Sequence, residues 1–345
     1  MLTCIHDDLK VFLTEGRPWR RRQPVPWLPY TQQQGDPVNW HGLATYQRGG
    51  SKHPGLVVND TLYDLAQLAK ACDVDPARVA GGIGALIADW AGSGPLVATM
   101  AARAAQLAAS GRLAAVEGAT YAVPYQPRRI FATASNFYEH ADEMGTKLAA
   151  RSESQPYIFM KAETSVVATG ENVQMPPETS RLDWEVELGV VIGKTCRHVS
   201  VDDALSAIAA YTVFNDISAR DLNRRTDYPF THDWFRGKSF DTFGPMGPWL
   251  VPADCIGDPQ QLRMSLAVNG ETMQDGSTSE MIFSVAEQIA YLSRILTLHP
   301  GDFIATGTPD GVGMGRGVYL KAGDTMVARI ENIGTIENTV VQESR

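Results

Sequence analysis

Three acidic side chains alternate with apolar ones in the segment RLDWEVELGVVIGK, a pattern typical of a β-strand. Because neighbouring side chains on a strand point to opposite faces, Asp183, Glu185 and Glu187 share one face and the apolar residues share the other. Carboxylates that crowd one face repel each other, so the arrangement requires either a cation or open water. The segment is therefore either part of a metal site or the solvated side of an edge strand.

A further acid follows a long apolar run in AIAAYTVFNDISARDLNRR. An aspartate at the end of a buried run, such as Asp216, is less easily explained as a surface residue. If Asp216 reaches the face that carries Glu185 and Glu187, three carboxylates converge. Oxygen-only ligation without His or Cys suits Mg²⁺, Mn²⁺ or Ca²⁺, and an octahedral ion held in this way keeps positions for water or a chelating substrate.

A histidine and a glutamate lie three residues apart in the segment SNFYEHADEMG. That spacing places His140 and Glu143 on one face of a helical turn. A carboxylate beside an imidazole fixes its tautomer and raises its basicity, which suits the activation of water. The alternative is a pair of surface side chains on a short exposed helix.

Two lysines follow apolar or aromatic residues, Lys161 in PYIFMKAETS and Lys238 in WFRGKSFDTFGP. Partial burial would require a negative partner for each. The alternative is a packed stem with the ammonium group in water.

A glycine-rich loop opens with Thr306, Gly307 and Thr308 in the segment DFIATGTPDGVGMGRG. Its amides and hydroxyls could hold a carboxylate. The alternative is that it forms only a tight turn. It lacks the ending of a phosphate-binding P-loop.

The composition is that of a soluble globular protein, with 44% hydrophobic and 20% charged residues. A length of 345 residues predicts about two domains. The chain has 30 basic and 39 acidic residues and a formal charge of −9, which argues against nucleic acid and against an anionic membrane as partners.

The four cysteines form no C-x-x-C pair, which makes a thiolate zinc site or a disulfide framework improbable and favours a reducing cytosol. No apolar stretch reaches the roughly 18 residues of a membrane span. The N-terminus has acids where a signal peptide would have a basic start and an apolar core, so we predict a cytoplasmic protein.

The elements that must position these residues fall into two parts. Residues 1–38 contain a basic run and several prolines, and are predicted to form an extended arm that is a solvated linker or a small anion patch. Two short strands and a helix start follow from about residue 43. Residues 60–116 are alanine-rich and predict two or three helices, with breaks near Asp75 and across 92–95.

After Pro124 the chain becomes rich in short β-type runs, punctuated by Gly, Pro and Asp, with one clear helix at SVAEQIAYLSRIL. Such spacing favours a β sandwich or roll over a doubly wound sheet. We therefore place a domain boundary near residue 125, between an arm with a small α+β domain (1–125) and a catalytic domain (126–345).

A series of motifs in this order resembles the fumarylacetoacetate hydrolase family over about residues 128–341. The resemblance implies a mixed α+β fold, mainly β, in which a β-sandwich roll surrounds an acidic metal site. Three features differ from the family pattern: Ala162 replaces a frequent proline, Asn223 replaces a frequent glutamine, and the N-terminal extension is long. The motifs are SNFYEHADEM, FMKAETS, DWEVELGVVIGK, FNDISARD, GKSFDTFGPMGP, VNGE and GDFIATGTPDGVG.

The resemblance also implies roles for individual residues. Glu185, Glu187 and Asp216 match the ligands of Mg²⁺, or of Mn²⁺, with Ca²⁺ possible in crystals, whereas Asp183 is not a ligand in this scheme. The catalytic residues match a water-activating pair on a short lid helix that orders when substrate binds, and a lysine that meets enolate charge: His140, Glu143 and Lys238. Substrate contacts match Lys161, Arg220 and Thr308.

The activity implied is hydrolysis of the C–C bond of a 2,4-diketo acid, such as an acylpyruvate, to pyruvate or a related keto acid and a carboxylic acid. Decarboxylases, hydratases and isomerases of 2-oxo-diacids use the same fold and are alternatives, as is a non-catalytic binding module stabilised by metal. The partner implied is a small keto acid, and the family's pairing across β faces implies a homodimer or a dimer of dimers.

Overall fold

The structure, a computed structural model, describes residues 40–344. These residues belong to one compact unit. The arm predicted over residues 1–38 lies outside the described residues. Within residues 40–344, no helix combines the length and the apolar character that a bilayer crossing requires.

The centre of the molecule is an open sheet of eleven strands in mixed orientation. The hairpin at the start of the described chain joins this sheet, since Leu43 pairs with Leu250 in an antiparallel register. In spatial order the strands are β3 (Thr61–Asp64), β2 (Ser51–Val58), β1 (His41–Arg48), β13 (Gly244–Pro252), β11 (Ile208–Asn215), β10 (Val186–Ile192), β16 (Phe303–Ala305), β5 (Ile130–Ala134) and β6 (Tyr157–Lys161), with β4 (Thr120–Ala122) beside β1 and β7 (Val166–Ala168) beside β13.

A second sheet of five strands packs against the first, and a separate pair of short strands lies beside the acidic segment. The five strands, in spatial order, are β15 (Glu271–Ser277), β14 (Arg263–Val268), β17 (Thr325–Ile330), β18 (Gly334–Gln342) and β8 (Val173–Met175), and the pair is β9 (Leu182–Asp183) with β12 (Ser218–Ala219).

Helices cover the other face of the large sheet or connect strands. The predicted break near Asp75 is confirmed, because that residue caps a short 3₁₀ turn at Pro76–Arg78. The predicted break across 92–95 is wrong: the helix continues through Pro95, since its residues further on are buried against the core. The α-helices are α1 (Leu65–Ala71), α2 (Gly82–Ala88), α3 (Trp90–Ala109), α4 (Tyr138–Glu143), α5 (Val201–Ala204), α6 (Trp234–Lys238), α7 (Val285–Ile295) and α8 (Gly313–Arg316).

Two hydrophobic cores lie on the two faces of the large sheet. Strand β10 contributes to both, because Leu188 and Val190 pack into the core shared with the second sheet while Val191 packs into the core under the helices. Each residue of β10 is buried. A strand covered on both faces is fixed in register, since a shift by one residue would exchange its two sets of side chains.

The predicted fold class is confirmed: the described chain is mixed α and β, mainly sheet, and its two packed sheets form a sandwich. Most strands after residue 125 occur where β-type runs were identified, and the clear helix is α7. No run was identified at β8, β15 or β18. Strand β1 pairs with β13, so the sheet itself extends across residue 125. The boundary at that residue stays a prediction.

Candidate active site

Three carboxylates converge where strand β10 begins and its antiparallel neighbour β11 ends. Glu187 lies on β10, Glu185 directly precedes this strand, and Asp216 directly follows β11. The antiparallel ladder continues between the last two, because the Asp216 N–H donates to the Glu185 carbonyl at 2.9 Å. One oxygen from each carboxylate lies within 4.8 Å of the others. The three residues are at most 5% exposed, which excludes a solvated edge strand.

Three buried cations surround these carboxylates. The Lys238 ammonium donates to Glu185 Oε2 and to Asp216 Oδ2, both at 2.7 Å. Lys161, at the end of β6, donates to Asp216 Oδ1 at 2.6 Å and also to the Lys238 carbonyl. Arg220 donates to Glu185 Oε1 at 2.6 Å. Both lysines are thus buried with negative partners, and the interpretation of their ammonium groups as solvated is wrong.

The charges in this cluster are not evenly balanced. Burial raises the pKa of Glu185, but Lys238 and Arg220 outweigh it and hold the pKa at about 2. Burial would lower the pKa of Lys238, but Asp216 and Glu185 reverse the direction and raise it. For Glu187, burial and the charges of Asp216 and Glu185 act together and raise the pKa well above its usual value. Glu187 is therefore the buried carboxylate that most needs a further positive charge.

The donor set fits a hard divalent cation. Glu187 Oε2 accepts a hydrogen bond from the Gly307 N–H at 2.8 Å, which orients the carboxylate. Among residues 40–344, no protein hydrogen bond is found to its other oxygen. Three converging carboxylates provide the ligand type that Mg²⁺ and Mn²⁺ prefer. His or Cys side chains, which softer metals would favour, are absent from this described cluster.

The histidine and glutamate predicted to act as a pair are in contact. Helix α4 places His140 Nδ1 at 3.1 Å from Glu143 Oε1. His140 is 6% exposed, so the interpretation of the pair as surface residues is wrong. Glu143 also accepts hydrogen bonds from the N–H groups of Gly311 and Val312. The loop that supplies these amides also supplies the Gly307 amide that binds Glu187, so one loop contacts both the pair and the acidic cluster.

The glycine-rich loop holds carboxylates through its backbone amides, and these carboxylates belong to the protein itself. Besides the amide that binds Glu187, the amides of Gly311 and Val312 bind Glu143. The next amides along the loop, at the start of α8, bind Asp183. The interpretation of this loop as only a tight turn is therefore incomplete.

Two residues predicted to contact substrate are already engaged inside the fold. Arg220 donates to Asp183 Oδ2 at 2.8 Å as well as to Glu185. The Thr308 hydroxyl donates to the Val186 carbonyl at 2.8 Å and accepts from the Gln274 amide at 2.8 Å. Their roles as substrate contacts stay predictions.

Two residues that support the site were not predicted to do so from the sequence. Gln274 is fully buried, accepts the Val186 N–H at 2.9 Å and donates to Thr308, but its strand carries no chemical pattern that would single it out. Asp183 was recognised as a member of the acidic face but was not assigned as a metal ligand. Its four hydrogen-bond donors come from the neighbouring Trp184, from Arg220 and from the distant segment 313–314, and no sequence pattern predicts them.

Comparison with known proteins identifies similar sequences and structures. The model of the fumarylacetoacetate hydrolase C-terminal domain matches residues 129–341. The chain is 45% identical to a 2,4-didehydro-3-deoxy-L-rhamnonate hydrolase from Sphingomonas sp. (strain SKA58) over 254 residues, which are 72% of this chain and 86% of that protein. It is 41% identical to a mitochondrial oxaloacetate tautomerase of Homo sapiens over 218 residues, 63% of this chain and 67% of that protein.

Among solved structures, the chain is similar to maleylpyruvate hydrolase from Sphingobium sp. SYK-6 in complex with manganese(II) and pyruvate. The TM-score is 0.66 at 29% identity, and the match covers 88% of this chain and 100% of that one.

Proposed function

The chain belongs to the fumarylacetoacetate hydrolase family, and from that premise we propose that it is a divalent-metal-dependent hydrolase of 2,4-diketo acids. It would cleave a C–C bond to give pyruvate, or a related keto acid, and a carboxylic acid. The observation that carries this proposal is the buried convergence of Glu185, Glu187 and Asp216 beside the pair of His140 and Glu143. Two of the similar proteins are named hydrolases.

The metal in this proposal is Mg²⁺ or Mn²⁺, held by Glu185, Glu187 and Asp216. Such an ion supplies a Lewis acid that polarises the 2-oxo group and stabilises negative charge as it develops. The manganese ion bound with pyruvate in the similar maleylpyruvate hydrolase supports this choice. The position of Glu187 supports it independently, because among residues 40–344 the chain's own cations form their ion pairs with the other two carboxylates.

His140 is the proposed general base. Glu143 occupies its Nδ1 atom, which leaves Nε2 as the nitrogen that can take a proton from water. The amides that bind Glu143 hold this carboxylate in place, so the imidazole keeps one tautomer and one orientation. The hydroxide formed attacks the carbonyl carbon of the acyl group. In the next step, the C–C bond that joins this carbon to the 2-oxo acid breaks.

The leaving group of this cleavage is the enolate of the keto acid, and the proton that His140 took from water is returned to the enolate carbon, which gives the keto acid and regenerates the base. Lys238 is the proposed cation that meets its charge, because its ammonium group is buried and already fixed by Glu185 and Asp216. A preorganised donor in a buried site stabilises developing charge without reorganising at the moment of reaction. Lys161 keeps Asp216 in position and is a proposed substrate contact.

A second candidate is enol–keto isomerisation of a 2-oxo-diacid, favoured by the 41% identity with the human oxaloacetate tautomerase. This reaction moves a proton and breaks no C–C bond. The same His140 and buried lysines would serve it, without an attacking water. Decarboxylation would differ again, because carbon dioxide replaces the carboxylic acid as product.

The test is product analysis with a small panel of acylpyruvates and with oxaloacetate, using protein treated with EDTA and then given Mg²⁺, Mn²⁺ or no metal. We expect stoichiometric pyruvate and carboxylic acid from at least one acylpyruvate, and only in the presence of metal. Tautomerisation of oxaloacetate without cleavage of any acylpyruvate would favour the second candidate instead. Carbon dioxide with pyruvate would identify a decarboxylase.

A further inference from the structure

We propose that Asp183 is a positioning residue that joins the two parts of the proposed active site. On one side it bonds Arg220, which in turn bonds Glu185. On the other side it bonds the loop segment 311–314, which also holds Glu143. This inference rests on the proposed function, since it assigns to Asp183 an effect on both metal binding and water activation.

The Asp183 carboxylate is fully buried and fully used. Its Oδ1 accepts from the N–H groups of Gly313 at 2.6 Å and Trp184 at 2.8 Å. Its Oδ2 accepts from the N–H of Met314 at 2.9 Å and from Arg220 Nε at 2.8 Å. A carboxylate has about four lone-pair positions, so these donors saturate it. Asp183 therefore has no acceptor left for a metal or a substrate, and its effect must act through its partners.

Four successive backbone amides of segment 311–314 are divided between two carboxylates. The first two bind Glu143 and the next two bind Asp183. Gly313 allows this close approach, because a Cβ atom there would lie 2.7 Å from Asp183 Oδ1 and 2.1 Å from the Val318 carbonyl oxygen. Adjacent peptide units cannot move independently, so a loss of the Asp183 bonds would loosen the support of Glu143 as well.

On the other side, Arg220 is shared between Asp183 and Glu185. Its Nε bonds Asp183, and its Nη2 bonds Glu185 Oε1. The Asp183 carboxylate compensates part of the guanidinium charge away from Glu185. With an amide in place of this carboxylate, Arg220 would compete more strongly with a cation for Glu185, and the site would carry one negative charge less. Asp183 should therefore strengthen metal binding without touching the metal.

The test compares the full-length protein with Asp183→Asn and with Asp302→Asn as a matched control. Asp302 is also buried, and its carboxylate accepts from Arg129 Nε at 2.7 Å and from the His299 N–H at 2.7 Å. Mn²⁺ binding is measured by calorimetry, and hydrogen exchange of the peptide containing 311–314 is measured without metal by mass spectrometry. Asp183→Asn should raise the Mn²⁺ Kd roughly 10- to 100-fold and accelerate the exchange, while Asp302→Asn changes neither.

Two results would overturn the role of Asp183 if the wild type binds Mn²⁺. One is an Mn²⁺ Kd in Asp183→Asn equal to that of the wild type. The other is hydrogen exchange of segment 311–314 that is no faster in Asp183→Asn than in Asp302→Asn. If the wild type binds no Mn²⁺, the proposed function fails, and hydrogen exchange by itself decides whether Asp183 holds the loop. Should Asp183→Asn not fold, Arg220→Lys replaces it, because one ammonium group cannot reproduce the fork between Asp183 and Glu185. A Mn²⁺ Kd in Arg220→Lys equal to that of the wild type overturns the inference.

Discussion

The Nδ1 atom of His140 lies 3.1 Å from Oε1 of Glu143, and both side chains are largely buried on the short helix α4. Glu143 is held in turn by the amides of Gly311 and Val312. The loop thus holds the carboxylate that orients the imidazole, whereas buried cations hold the acidic cluster. Because the two supports differ, the proposed proton-transfer and metal-binding functions should be separable by mutation.

Replacing His140 with Ala should leave Mn²⁺ binding intact and lower kcat by roughly 10²- to 10⁴-fold, the usual contribution of a general base. The measurement pairs steady-state pyruvate release at saturating metal with calorimetric titration of Mn²⁺. If turnover and metal affinity fall together, His140 has a structural role and the proposed base is another group.

Replacing Glu185 with Ala should abolish metal dependence together with turnover. It should also destabilise the protein, because Lys238 and Arg220 would lose a buried partner. Removing one member of a buried ion pair costs about 3–5 kcal/mol. Chemical denaturation of the metal-free protein measures this change. Full activity in this variant would remove the metal hypothesis.

Replacing Glu187 with Gln should have the opposite effect on stability. Its carboxylate is buried beside two others, which raises its pKa, so a neutral amide of the same shape relieves repulsion in the metal-free protein. We expect the free energy of unfolding to rise by about 1–3 kcal/mol, while Mn²⁺ binding is lost. A metal-free variant less stable than metal-free wild type would show that the chain's own lysines already balance this charge.

Much of this site could be predicted from the sequence because its proposed metal ligands obey short-range rules. Strict alternation placed Glu185 and Glu187 together, and the end of a buried run marked Asp216. The spacing of three residues brought His140 and Glu143 together on one helical turn. Each of these relationships depends on a local repeat that a strand or a helix imposes.

The remaining relationships join segments that are distant in the chain. Two of the amides that bind Asp183, those of Gly313 and Met314, lie about 130 residues further along, and no local pattern links them to it. Strand β15 was not identified because its sequence, ETMQDGS, shows no alternation of apolar residues, although Gln274 within it is buried. The helix break across 92–95 was wrong because burial of α3 outweighs the local cost of Pro95. Tertiary packing decides such cases.

The pH dependence of stability should include a small contribution from Glu287, which caps α7 and pairs with Arg151. Burial raises the pKa of Glu287, but Arg151 and the Ser284 donors outweigh it and lower the pKa. A lowered pKa in the folded state means that the contribution is present above the pKa of the unfolded state, about 4.3, and is lost as the pH falls further.

Glu287→Gln should therefore be less stable than wild type at pH 7 by no more than about 1 kcal/mol, because the ion pair is partly exposed to solvent. The difference should shrink as the pH falls below about 4. Urea denaturation at both pH values measures it. A difference that stays constant with pH would assign the effect to the neutral capping hydrogen bonds.

The close approach of Gly315 to Glu143 gives a test of the proposed catalytic pair that leaves both of its side chains in place. A Cβ atom on Gly315 would lie 2.7 Å from Glu143 Oε2, so Gly315→Ala requires a shift of this carboxylate or of the loop that holds it, and either shift alters the support of His140. A displacement of about 1 Å can lower the rate by roughly 10²-fold. We expect kcat to fall roughly 10- to 100-fold with an unchanged Mn²⁺ Kd.

Gly257→Ala is the control for Gly315→Ala, because a Cβ atom on Gly257 meets no atom within 4 Å. Equal kcat values in the two variants would mean that the position of Glu143 does not limit turnover.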